Sequence, residues 1–135
     1  LQRISGPLGD RIDVRLTVRR VSNVVRAEAD TAPATSAEIR DRVTQARQAA
    51  AQRLSATPWR VNAEVRGSWL RGPRMRLPRS DTAVLDRALD RGALTMRGYD
   101  RTLRIAWTVA DLAGRDRPGR REIARALLLR GGDLP

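Results

Sequence analysis

The stretch Arg97-Gly98-Tyr99-Asp100-Arg101-Thr102-Leu103-Arg104-Ile105-Ala106-Trp107-Thr108-Val109-Ala110-Asp111-Leu112-Ala113-Gly114 decides the fold. Tyr99, Leu103, Ala106, Val109, Ala110 and Ala113 recur at three- and four-residue steps, the pattern of a helix with one buried face. Gly114 then offers the left-handed residue that commonly ends such a helix. Arg97, Arg101 and Arg104 fall at i, i+4 and i+7, on one face. Three like charges so placed repel one another unless an anion or carboxylates lie nearby. Either a bound phosphate or the neighbouring Asp100 and Asp111 would answer that need.

Outward from this helix the pattern repeats. Toward the C-terminus, Pro118-Gly119 opens a helix carrying Ile123, Ala124, Leu127 and Leu128, closed by Gly131-Gly132 and Pro135. Toward the N-terminus, Ser80 or Asp81 caps a helix carrying Val84, Leu85, Ala88 and Leu89. Farther back, Thr35-Ser36-Ala37-Glu38 has the spacing of a capping box. It starts a helix to about Leu54, with Ile39, Val43, Ala46, Ala50 and Leu54 as its apolar stripe. Four amphipathic helices with short links predict a small helical bundle.

Between the first and second of these helices, residues 55–80 are broken up by Pro58, Gly67, Gly72, Pro73 and Pro78, with a short helix expected at 68–70. Six arginines (60, 66, 71, 74, 76 and 79) face one acid, Glu64, in this segment. Trp59 and Trp69 lie among them. Such aromatic groups either stack on bases while arginines such as Arg71, Arg74 and Arg76 hold phosphates, or anchor an irregular segment onto the bundle. Tyr99 and Trp107 read as core or interface.

The N-terminal segment has a different period. Ile12, Val14, Leu16 and Val18 alternate with Arg11, Asp13, Arg15, Thr17 and Arg19, as in a strand with one buried face. No second strand of comparable clarity follows, so its partner sheet is expected outside this chain. The start at Leu1 without a methionine fits the same expectation. Residues 22–35, small and polar with Pro33, read as a linker.

Composition narrows the chemistry. All 27 basic residues are arginine, set against 15 acids for a net charge of +12, and there is no lysine, histidine, cysteine or phenylalanine. Disulfides, thiolate or imidazole metal sites, a Ser-His-Asp triad and a Cys-His pair are therefore excluded within these 135 residues. No metal site is expected. No apolar run approaches the roughly 20 residues of a membrane span, and Arg3 and Asp10 interrupt the only short apolar stretch near the N-terminus. These features predict a cytoplasmic chain without a membrane partner. Part of the arginine excess also fits a GC-rich coding sequence.

Two stretches carry more than patterning: Arg3-Ile4-Ser5-Gly6-Pro7-Leu8-Gly9-Asp10-Arg11-Ile12-Asp13, and Arg97 through Leu112. With Ser36-Ala37-Glu38-Ile39-Arg40 and Asn62-Ala63-Glu64 between them in order, they resemble the C-terminal part of the magnesium-chelatase-like AAA+ ATPases, the ComM/YifB group in particular. The resemblance spans almost the whole chain. It implies a mainly α architecture: a small helical bundle, the AAA+ lid, over residues 23–135. One β-strand of a missing α/β ATPase core precedes it in residues 1–22.

Members of that family are ring-forming ATPases, usually hexamers. The resemblance implies that Arg11 is an arginine finger reaching the nucleotide of a neighbouring subunit, and that Arg97 is the sensor-2 arginine, with Arg101 and Arg104 beside it at the nucleotide. A planar, permanently charged guanidinium suits both tasks. From spacing alone, Arg11 reads as a strand-flanking residue paired with Asp13 or solvent. Gly9 stands where the family usually has a bulky apolar residue. The chain contains no G-x-x-x-x-G-K-[ST] and no acidic magnesium-binding motif. ATP and Mg2+ are thus expected in a full-length parent, and no cofactor and no turnover for these residues alone. The implied partners are the chain's own core, neighbouring subunits of a homo-oligomeric ring, and DNA in recombination or transformation. Two alternatives stay open: the lid of a motor subunit driving magnesium insertion into protoporphyrin, and a free-standing basic helical module that binds nucleic acid.

Overall fold

The computed structural model describes residues 11–18 and 33–131. The expected linker over 22–35, the 22/23 boundary, Arg3 to Asp10 and the last residues to Pro135 lie wholly or largely outside the described residues. Five helices follow in order: α1 Ser36–Arg53, α2 Gly67–Leu70, α3 Arg79–Asp90, α4 Met96–Leu112 and α5 Arg120–Leu129, with a 3-10 turn at Asn62–Glu64 between α1 and α2. The chain is thus mainly helical, a small bundle.

Local chemistry sets the ends. At α1 the Thr35 hydroxyl accepts the Glu38 N–H at 3.3 Å while a Glu38 carboxylate oxygen accepts the Thr35 N–H at 2.7 Å, as the capping box predicted. The cap holds the Glu38 carboxyl below its ordinary range, chiefly through the Thr35 N–H. Helix α4 starts one residue earlier than expected, at Met96, because Thr95 caps it: its hydroxyl accepts the Gly98 N–H at 3.0 Å. Gly114 ends it at φ 64°, with Arg115 N–H donating to the Ala110 carbonyl at 2.9 Å and Gly114 N–H to that of Asp111 at 3.1 Å, a Schellman closure. The expected cap of α3 at Ser80 or Asp81 is corrected. Pro78 holds the cap position without a side-chain bond, and its carbonyl accepts the Asp81 and Thr82 N–H groups. Ser80 and Asp81 fall inside the first turn, where Asp81 complements the helix dipole.

Helix α4 is the axis of the bundle. It packs against α1, the 3-10 turn, α2, α3 and α5, and α5 also packs on α3. Its buried residues are Gly98, Tyr99, Thr102, Leu103, Ala106, Trp107, Ala110 and Asp111. Val109 is half-buried and Ala113 exposed, so the buried stripe is rotated toward polar residues that find partners inside. Thr102, for example, donates to the Gly98 carbonyl at 2.9 Å. In α1 only Ala46 and Ala50 are buried, followed by Leu54; Ile39 and Val43 are exposed at 50% and 37%. The stripe is continuous in sequence, but the bundle covers only its C-terminal half.

Residues 12–18 form no strand among the described residues. A ladder needs a partner strand, and here the segment's backbone meets a helix end instead: Arg15 N–H donates to the Leu129 carbonyl at 2.7 Å. Leu16 and Val18 are 73% and 90% exposed, so the apolar side of the alternation stays uncovered here.

Candidate functional site

The Arg97-Gly98-Tyr99-Asp100 stretch sorts into three residues that serve the bundle and one that does not. Gly98 is buried in the first turn of α4, where a Cβ would come within 2.8 Å of Leu94 Cδ1. The Tyr99 phenol donates to Asp86 Oδ1 of α3 at 2.8 Å, and Thr82 donates to the other oxygen of the same carboxylate at 3.0 Å. Burial, then the Asp86 carboxylate, pushes the phenol up to about 12. Asp100 pairs with Arg71 beyond α2, and its carboxylate occupies the space that a Cβ at Gly67 would take. Arg97 is exposed in that same first turn.

The other arginines on this face of α4 have protein partners. Arg101 Nη1 lies 3.3 Å from the Asp13 carboxylate, and its side chain is 18% exposed. Arg104 Nε donates to the Val65 carbonyl at 2.9 Å. Asp100 and Asp111, the carboxylates available in sequence to neutralise the face, are engaged elsewhere: Asp100 with Arg71, and Asp111 with Arg53. Arg11 is exposed at the start of the segment that Asp13 ties to α4. Asp13 itself meets Arg101 and Arg130.

The arginines of the irregular segment divide similarly. Arg71 is committed to Asp100. Arg74 lies over the Trp69 ring, 5.9 Å from its centre, and Trp69 meets Trp59 edge to face at 5.4 Å. Both tryptophans are half-buried against the core, which is the anchoring arrangement. Arg76 is exposed and, with Arg71, Arg79 and Tyr99, lines a cavity of about 320 Å3 between α2, α3 and α4.

One cluster was not foreseen. Arg53, the last residue of α1, grips Asp111 with two bonds of 2.6 and 2.8 Å and reaches Asn62 Oδ1 at 2.9 Å. Asn62 in turn donates to Asp111 Oδ2 at 2.8 Å and to the Thr108 hydroxyl at 3.1 Å. The guanidinium lies 4.4 Å from the centre of the Trp107 ring. Asn62-Ala63-Glu64 thus has a structural purpose: Asn62 joins α1 to α4, and Glu64 accepts the Arg60 N–H at 2.9 Å. Nothing in the helical periodicity pairs Arg53 with Asp111, 58 residues away. Thr95, by contrast, carried a readable signal, a threonine directly before the helix.

These features define a small helical domain with a basic surface, whose central helix presents an arginine at its N-terminal end. The family model described as magnesium chelatase, subunit ChlI C-terminal, matches residues 33–130, and the chain belongs to that family. An uncharacterised protein of Mycobacterium tuberculosis (strain H37Rv), Rv2897c, is 46% identical over 130 residues, covering 96% of this chain and 25% of that protein. The competence protein ComM of Haemophilus influenzae is 28% identical over 127 residues, 94% of this chain and 24% of its own length. The chain therefore spans about a quarter of the length of the relatives it matches. No solved structure matches it significantly. Among the described residues, no helix is long and apolar enough to cross a membrane.

Proposed function

We propose that this chain is the lid and finger portion of a ring-forming AAA+ ATPase that works on DNA, with Arg97 contacting nucleotide phosphates and Arg11 completing the site of a neighbouring subunit. One observation carries the reading. Of the four residues Arg97 to Asp100, three are tied into packing or pairing, while Arg97 is exposed at the start of a 17-residue helix. A guanidinium there, backed by the positive end of the helix dipole, fits the anionic end of a nucleotide. Arg101 and Arg104 lie behind it on the same face and add positive potential. ATP brings the phosphoryl group to be transferred, with Mg2+ beside it; this chain contributes cations to hold and stabilise its charge. The name of the H. influenzae relative, a competence protein, favours DNA as the substrate, and the net charge of +12 agrees with a polyanionic partner.

The test uses the intact ATPase. Arg11→Ala is expected to lower turnover about a thousandfold or more while nucleotide affinity stays near wild type. Arg97→Ala is expected to weaken nucleotide binding or uncouple it from turnover. Wild-type turnover in the first variant removes the finger, and unchanged affinity with unchanged turnover in the second removes the nucleotide role of Arg97. Turnover indifferent to added DNA but raised by a porphyrin acceptor would favour the metal-inserting activity that the family's description names.

A further inference from the structure

The segment that carries Arg11 is fastened to the bundle at Asp13 and at Arg15. Asp13 presents its carboxylate to Arg101 Nη1 of α4 at 3.3 Å and to Arg130 Nη1, at the end of α5, at 4.0 Å. The two arginine side chains are only 18% and 11% exposed, whereas that of Asp13 is 61% exposed. The bundle therefore holds two partly shielded cations close together, and the carboxylate comes to them from outside. Two residues on, the Arg15 N–H donates to the Leu129 carbonyl at 2.7 Å, one of the carbonyl groups that a helix C-terminus leaves without an intrahelical donor. The Arg15 stem also lies against Gly131, where a Cβ would sit 3.3 Å from Arg15 Cδ.

Two guanidinium groups converging in a partly covered site repel each other, and the Asp13 carboxylate beside both relieves part of that repulsion. The backbone bond at Arg15 then fixes the register in which the segment docks. Arg11 is two residues from the clamp, within about 7 Å along the chain. Arg101 follows Arg97 by one turn of the same helix.

We propose that Asp13 is a positioning residue. Placed against Arg101 and within 4.0 Å of Arg130, it docks the Arg11 segment onto α4 and α5 and so sets Arg11 relative to Arg97. The catalytic consequence rests on the finger reading above; the docking does not.

Two experiments separate these. In amide hydrogen exchange on this chain, Asp13→Asn is expected to reduce protection of the Arg15 amide by about tenfold, as loss of two partly shielded ion pairs would. Leu103 and Ala106 in α4 keep their protection, and Asp13→Glu restores most of that at Arg15. Unaltered protection at Arg15 in Asp13→Asn overturns the docking. In the intact ATPase, Asp13→Asn is expected to lower turnover by up to about a hundredfold at unchanged nucleotide affinity, as misplacement of a reacting group does. It adds nothing when combined with Arg11→Ala, because both changes remove the same contribution. Losses that multiply in the double variant overturn the positioning role. Full turnover in Arg11→Ala alone overturns the finger and this catalytic consequence with it, while the exchange result still decides the docking.

Discussion

Asp111 shows what burial demands of a carboxylate. Its side chain is 2% exposed, and it is stabilised there by two bonds from Arg53 and one from Asn62. Arg53 is in turn sandwiched against Trp107. Removing one member of such a pair leaves the other's charge without compensation, so Asp111→Ala is expected to destabilise the bundle by about 3 kcal/mol. Urea unfolding measures this directly, and a loss under about 1 kcal/mol would mean that the pair is not an anchor. In sequence, Asp111 reads as a counter-charge for the arginines of its own helix. Its partner instead comes from α1. Periodicity reports which face a residue occupies, but the identity of the group across the interface depends on how two helices dock, and that is not a local property.

At the scale of elements, the helices were legible because their ends carry chemistry. Thr35 with Glu38, Gly114 and the apolar steps of α4 each signal a boundary or a face through interactions within a few residues. The start of α3 is not visible in sequence because a proline carbonyl, with no side-chain acceptor, does the capping. The strand-like alternation at 11–19 illustrates a second limit. A helix bonds to itself, whereas strand structure requires a neighbour, and residues 12–18 pack against helices: Asp13 meets Arg101, and the Arg15 N–H donates to the Leu129 carbonyl. Thr95 makes the cap of α4 testable. Thr95→Ala removes the acceptor for the Gly98 N–H and is expected to reduce stability by about 1 kcal/mol. The thermal midpoint checks this, and Thr95→Asp should recover most of the loss. A midpoint unmoved by the alanine change would place the helix start elsewhere.

For the molecule as a whole, the candidate site was legible as a family pattern more than as geometry. The arginines were visible in sequence, but their division into partnered and exposed groups depends on Asp13, Val65 and Asp100 arriving from other elements. The same cross-element contacts govern the response to pH. With no lysine, histidine or cysteine, the chain's one tyrosine is the conspicuous titrating group on the alkaline side. Folding raises Tyr99 from 10.0 to about 12, so the folded state keeps a proton that the unfolded chain releases. Its stabilisation is complete below pH 10 and is lost as pH rises toward about 12. Base unfolding followed by circular dichroism should begin in that window, together with the phenolate absorbance of the single tyrosine. In Tyr99→Phe this part of the alkaline loss should disappear, and an identical alkaline profile would mean that the Tyr99–Asp86 contact does not link α3 to α4.

The uneven burial of α1 has its own consequence. Residues 36–45 are all exposed, while Ala46, Ala50 and Arg53 engage the bundle. At 1.5 Å per residue, the exposed part is a spur about 15 Å long, secured at its tip by Thr35 and Glu38. Fraying from that tip would expose little apolar surface until it reached Ala46. The first ten residues of α1 are therefore an extension that burial does little to hold, and a cut at Arg40 or Arg42 would shorten the spur while leaving Ala46 and the packed helices in place.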